Sequence, residues 1–188
     1  GSARTIAHNL GAVPTMMIVK QRDGGGGWVV YHQAVGNTKI IELHEDDASQ
    51  TSSGAWNNTT PTASVFTLGD YTSVNTNTKT FIAYLFGDSS MSKMGQYTGN
   101  GNADGPFVYT GFKPAWVMTK RNTDGDESWH IFDNKRNSFN IVNKRIQANA
   151  GGAEDTAAPL GDFTASGFKI RGTGGGINVS GKNFIYMA

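Results

Sequence analysis

The chain has no cysteine among its 188 residues. That argues against the disulfide-stapled domains common among small secreted proteins. Charge is scarce as well, at 16% against the ~25% of an average globular domain. The formal net charge is +1, so no strong field draws nucleic acid or an anionic membrane surface. No apolar run approaches the ~20 residues of a membrane-spanning helix. Nowhere do apolar residues hold the i, i+3, i+4, i+7 spacing over three turns, so little helix is expected. No signal-peptide pattern opens the sequence. Gly1-Ser2 reads as a cloning remnant and Phe184–Ala188 stops inside a strand-like run. The chain is therefore expected to be excerpted from a longer one, with targeting information outside it.

In place of charge there are 25 glycines and many Asn, Ser and Thr, with ten Phe, six Tyr and four Trp to build a core. This is the composition of a β protein with many turns. The sequence also repeats itself. Gly11, Pro14 and Lys20 return as Gly111, Pro114 and Lys120. Trp28 returns as Trp129, Phe66 as Phe168, and Phe81-Ile82-Ala83-Tyr84 as Phe184-Ile185-Tyr186-Met187. The offset grows from 100 to 103 without reversing, as a duplication with small loop insertions would produce.

Each half reads as some six short strands separated by turns. In the first half they are placed at 5–10, 15–20, 28–32, 39–45, 63–68 and 79–86. In the second they are placed at 106–109, 115–120, 129–133, 139–143, 167–171 and 183–188, with a short strand near 91–97 at the seam. The expected fold is all-β: two tandem, similar antiparallel β-sandwiches of jelly-roll or lectin-like form, spanning 1–95 and 96–188. The alternative is one sandwich to which each repeat contributes a sheet.

Chemistry-bearing constellations are sparse. The repeated aromatics Trp28/Trp129, Tyr31/Phe132, Phe66/Phe168 and Phe81/Phe184 are read as core, because what both repeats share is the need to bury area. Trp56 has no aromatic counterpart and sits in a polar stretch, so it is the expected surface contact, with Asn57 and Asn58 beside it. Asp124 and Asp126 flank Gly125 in the second half's hairpin and have some flavour of an oxygen-ligand loop, without the spacing or distal Glu of an EF-hand. The carboxylates Glu42, Glu45, Asp46 and Asp47, near His44, are local and loop-borne, as are Asp124, Asp126 and Glu127. They read as solvated charge rather than as a glycosidase pair across a cleft. Four scattered histidines form no zinc motif, and no G-x-S-x-G elbow is present. The glycine runs 24–27 and 172–176 open no helix and end in no G-K-S/T, so they are not phosphate loops. No cofactor or metal is expected, and the reading is non-enzymatic.

The motif order adds a further expectation. Gly99-Asn100-Gly101, then Gly105-Pro106-Phe107-Val108-Tyr109-Thr110-Gly111-Phe112-Lys113-Pro114-Ala115-Trp116-Val117-Met118, form one block. Trp129, Asp133 and Arg136 form a second, and Ala153-Glu154 with Asp162–Arg171 a third. Asn178, Gly181 and Phe184–Ala188 close the series. In the first half His8-Asn9-Leu10-Gly11, Pro14, Lys20-Gln21-Arg22-Asp23 and Trp28–His32 fit the same pattern, as does Phe81–Phe86. Over nearly its whole length the chain resembles repeat modules in tail-fibre and other virion proteins of tailed phages, notably marine and cyanobacterial ones. The resemblance implies a β-sandwich virion module, with no catalytic motif to carry over. It implies a bacterial surface polysaccharide or other virion proteins as partners, without nucleic acid or membrane insertion. Self-association would run through a longer fibre. A structural spacer or decoration domain is the alternative, and a polysaccharide depolymerase the third reading.

Overall fold

Pro14 and Pro114 each fix their own φ and push the preceding residue to extended geometry, and a strand begins two residues later in both cases. Gly11 and Gly111, repeated in sequence, both adopt the left-handed conformation (φ 74° and 87°), which explains why glycine stands at both turns. The computed structural model describes residues 1–156 and 159–188. It divides into two compact units, Gly1–Asp88 and Ser89–Ala188. The segment at Met94–Thr98, expected to straddle the seam, belongs to the second unit because it pairs there with Asn183–Met187.

Unit 1 contains strands β1 (Arg4–Ala7), β2 (Met16–Gln21), β3 (Trp28–His32), β4 (Lys39–Glu42), β5 (Gln50–Thr51), β6 (Val65–Leu68) and β7 (Phe81–Phe86). Two four-residue helices, α1 (Ser53–Trp56) and α2 (Thr72–Asn75), interrupt them. A five-stranded antiparallel sheet runs β5-β4-β3-β2-β7, and β1 pairs with β6 in a small second sheet. Successive side chains on a strand alternate faces, so Met17 and Val19 of β2 point with Val29 and Tyr31 of β3 into one core. Phe66 and Leu68 of β6, Trp56 of α1 and Val74 of α2 close that core from the other side.

Unit 2 contains β8 (Met94–Thr98), β9 (Phe107–Tyr109), β10 (Trp116–Arg121), β11 (His130–Asp133), β12 (Ile146–Gln147), β13 (Gly161–Thr164), β14 (Gly167–Ile170) and β15 (Asn183–Met187). Its large sheet runs β12-β11-β10-β15-β8 and its small sheet β13-β14-β9, all antiparallel. The two orders run alike: β4-β3-β2-β7 in unit 1 reads as β12-β11-β10-β15 in unit 2, and β1-β6 as β9-β14. The sandwich core lies between the sheets. Tyr97 stacks on Phe184 (5.1 Å between centroids), Phe132 on Phe163 (5.8 Å), and Phe168 meets Tyr186 edge-on (5.3 Å). Such aromatic pairs add about 0.5–1.5 kcal/mol beyond their area burial. Asn178, fully buried, holds the connection between β8 and β9 in place. Its Oδ1 accepts from Asn100 N (2.9 Å), and its Nδ2 donates to the carbonyls of Asn102 and Gly172 (2.8 Å each).

The expected all-β, antiparallel architecture is the one observed. One expected strand is not. Residues 139–143, expected as a strand, form an irregular segment in which Phe139 and Ile141 are 85% and 50% exposed. Only Val142 turns into the core, where it bridges to Gly161.

Candidate functional site

The exposed segment 137–141 of unit 2 is fixed from both ends. Asn140 pairs with the backbone of β13 in both directions: its Nδ2 donates to the Phe163 carbonyl and its Oδ1 accepts from Phe163 N, at 3.0 Å each. Val142 N donates to the Gly161 carbonyl (2.8 Å), and Leu160 N to the Val142 carbonyl (2.8 Å). The outer edge of β13 is thereby covered rather than left open. At the near end Asn137 Oδ1 accepts from the amides of Asn143 and Lys144 (3.2 and 2.8 Å). The Phe139 ring projects from a braced loop, not from a slack one.

Against it lies a polar hollow of about 470 Å³, lined among others by Lys113, Asn134, Asn137, Phe139, Asn140 and Phe163. That is within the ~300–1,000 Å³ of ligand clefts. Three asparagines, Ser138 and the lysines Lys113 and Lys135 supply its polar lining, and Asn134 Oδ1 is buried with no hydrogen-bond partner in the protein. Charge fixes the chain next to the lining residues Asn134 and Lys135. Asp133 accepts from the backbone N–H of Lys135 and of Arg136 (2.9 and 2.8 Å) and from Arg136 Nε (2.8 Å). Burial works against ionisation of Asp133, but these hydrogen bonds and the Arg136 charge outweigh it and hold the carboxyl below its usual range. Arg136 also reaches Glu154 (3.2 Å), which Lys144 meets at 3.3 Å.

The outer face of the small sheet continues the theme. Phe107 and Tyr109 of β9 are 49% and 67% exposed, while Val108 between them is buried. Register places Phe107 opposite Lys169 and Tyr109 opposite Gly167. At Gly167 a Cβ would lie 2.1 Å from the Val108 carbonyl and 3.1 Å from the Phe107 ring, so only glycine lets β9 and this ring sit so close. In unit 1 the matching register positions on β1, Thr5 and Ala7, carry no aromatic. The fold does not require rings there.

The residues singled out from sequence fare differently. Trp56 is not a surface contact: it is wholly buried in unit 1, edge-on to Tyr31 at 5.7 Å, with Nε1 donating to the Lys39 carbonyl (2.9 Å). The four-residue helix α1, too short to show a period, is what turns it inward. Asn57 and Asn58 are exposed and line a hollow of about 400 Å³ with Gly54 and Asp70. Both are left-handed (φ 51° and 50°) where α1 ends, a conformation asparagine tolerates, so turn chemistry accounts for them. Asp124 is left-handed too (φ 34°) and forms an ion pair with Lys182, while Asp126 is exposed. No group of three His, Asp or Glu among the described residues is placed to hold a metal ion. Trp28, half-buried, has its ring stacked on Tyr84 (6.5 Å) with Lys20 Nζ 5.7 Å from its centroid.

Among known families, the pattern described as "Domain of unknown function (DUF7483)" fits residues 1–188, across both units. The chain belongs to the DUF7483 family. No curated protein and no solved structure matches it. In this DUF7483 chain the braced Phe139 loop and its hollow were missed by sequence reasoning. The signal that could have found them is the run Asn137-Ser138-Phe139-Asn140, where a lone aromatic sits among amide and hydroxyl residues.

Proposed function

We propose that the chain is a non-enzymatic virion module of a tailed phage, built from two repeats of one sandwich, that contacts a bacterial surface glycan through unit 2. The observation that carries this reading is Phe139, 85% exposed beside an amide-lined hollow. A large ring held in water on a braced loop contributes little to folding. It offers an apolar face for the C–H side of a sugar ring, while Asn134, Asn137 and Lys113 offer hydrogen bonds to hydroxyls. A surface with few charges suits a neutral polymer better than nucleic acid. The phage assignment rests on the motif resemblance, and the repeat assignment on the parallel strand orders and on Phe66 and Phe168 holding matching registers opposite Ile6 and Val108.

A second reading, docking to another virion protein, draws support from Phe107, Tyr109 and Ile141, apolar groups that unit 2 leaves exposed. The test is retention of a bead-displayed chain on immobilised bacterial surface polysaccharides, since linked weak sites gain avidity of about 10²–10⁴. Phe139→Ala is expected to abolish retention and leave the melting temperature unchanged. Retention that survives the substitution refutes the site. Silence on every polysaccharide together with capture of a virion component moves the assignment to docking.

A further inference from the structure

A second cavity in unit 2, of about 230 Å³, lies beside β11 and has no residue in common with the Phe139 hollow. His130 lines it. The residue is 2% exposed, and neither Nδ1 nor Nε2 has a hydrogen-bond partner in the protein. Buried polar atoms are as a rule paired, so two orphaned nitrogens on one ring that faces a cavity call for an occupant. The cavity's other polar groups are Glu127, Gln147 and Arg145, and its apolar wall includes Leu160 and Ile177.

The glycine run 174–176 closes over this space. A Cβ at Gly176 would lie 1.8 Å from His130 Nε2, and one at Gly175 would lie 2.0 Å from Glu127 Oε1. Any side chain there would displace the two polar groups. Glycine at both positions is what lets the imidazole and the carboxylate lie directly against this loop.

The donor set selects the ligand. Burial, then the charges of Arg145 and Lys120, push His130 down to about 4 against the opposing pull of Asp155, so the ring is neutral near pH 7. It then offers one donor and one acceptor. Glu127 only accepts, and Gln147 does both. An anion would face the Glu127 carboxylate. A cation would face Arg145, which is itself bound to Asp155 (2.7 Å). A purely apolar guest would leave both imidazole nitrogens unpaired. Adjacent hydroxyls, each able to donate and accept, satisfy all three groups while ring C–H atoms meet Leu160 and Ile177. At ~30 Å³ per water the volume equals about eight waters, less than a drug-sized cleft. It fits one sugar ring and not a chain.

The structure assigns this cavity, we infer, as a pocket for a single neutral sugar residue, held by His130, Glu127 and Gln147 beneath the Gly174–Gly176 loop. The inference stands apart from the Phe139 reading and survives its failure.

The test follows the His130 ring nitrogens by NMR of the ¹⁵N-labelled full chain at pH 7. Free hexoses, N-acetylhexosamines, deoxyhexoses and pentoses are titrated in, with glucuronate and inorganic phosphate as charged comparators. At least one neutral sugar is expected to give a saturable shift with Kd of about 1 mM. Glu127→Gln should weaken it about tenfold, Gly176→Ala should abolish it, and Phe139→Ala should leave it unchanged. Glu127→Gln preserves volume and so carries the mutational arm if Gly176→Ala fails to fold. The proposal is overturned if no neutral sugar gives a saturable shift, the cavity then holding ordered water only. It is equally overturned if phosphate or glucuronate binds more tightly than every neutral sugar, or if Gly176→Ala folds and binds as the native chain does.

Discussion

Replacing Trp56 by alanine removes a ring packed against Tyr31 and leaves the Lys39 carbonyl without its indole donor. A cost of about 3–5 kcal/mol in urea denaturation is expected, with no selective effect on ligand retention. His130 makes a prediction of opposite character. Its folded pKa of about 4 lies below the ordinary 6.5, so between these values the unfolded chain binds a proton that the folded chain refuses. Its contribution is fully present above about pH 6.5 and is lost as pH falls towards about 4, on the order of 3 kcal/mol in all. The native chain should therefore lose denaturant resistance between pH 6.5 and 4.5, and His130→Phe should flatten that slope. A slope unchanged in the variant would show that other groups set it. At this scale the sequence was legible at most of the recurring aromatics, though not at Trp28, which was read as core and is only half-buried. Tyr31, Phe66, Phe132, Phe168 and Phe184 are core, as repetition implied. Trp56 was misplaced because its neighbours are polar, and polarity of neighbours says nothing about a side chain that a single helical turn redirects.

Among elements, the 137–142 segment is the one whose behaviour most needs testing. Asn140→Ala leaves the Phe163 N–H and C=O without their partners, at a cost of about 1–3 kcal/mol. Amide exchange at Val142 and Phe163 should quicken while β10 and β15 stay protected. Equal protection in the variant would mean that the bridge to Gly161 alone holds the segment. Strands β2, β3, β7, β10, β11 and β15 were readable because each has flanking turn signals and a run of β-formers. The same reasoning put a strand at 139–143, where Phe139 and Ile141 alternate with Asn140. Alternation reports a two-faced segment without saying which face is wet, and here the apolar face is outside. Gly161–Thr164 escaped notice because it is four residues long and starts with glycine. The two four-residue helices fall below the length at which a 3.6-residue period can be seen.

For the molecule as a whole, the net charge of +1 has a measurable corollary. Glycan retention by neutral groups should change little between about 50 and 200 mM salt, whereas a contact with several phosphates would lose about 10³–10⁵ in affinity over that range. A steep salt dependence would reopen a polyanionic partner. The pairing order of unit 2 also bears on how the chain acquires its structure. β15 is the last strand of that unit in sequence, yet it lies inside the large sheet, between β10 and β8. Met94 must find Met187, and Met118 must find the same residue from the other side. Contacts so distant along the chain make loop closure entropically costly and folding slow, in milliseconds to seconds rather than microseconds. Until Phe184-Ile185-Tyr186-Met187 arrives, β8 and β10 stand as two unpaired edges. During synthesis, then, unit 2 waits for its final strand with sticky flanks exposed, and low temperature and slow expression are the conditions under which soluble protein should be recovered.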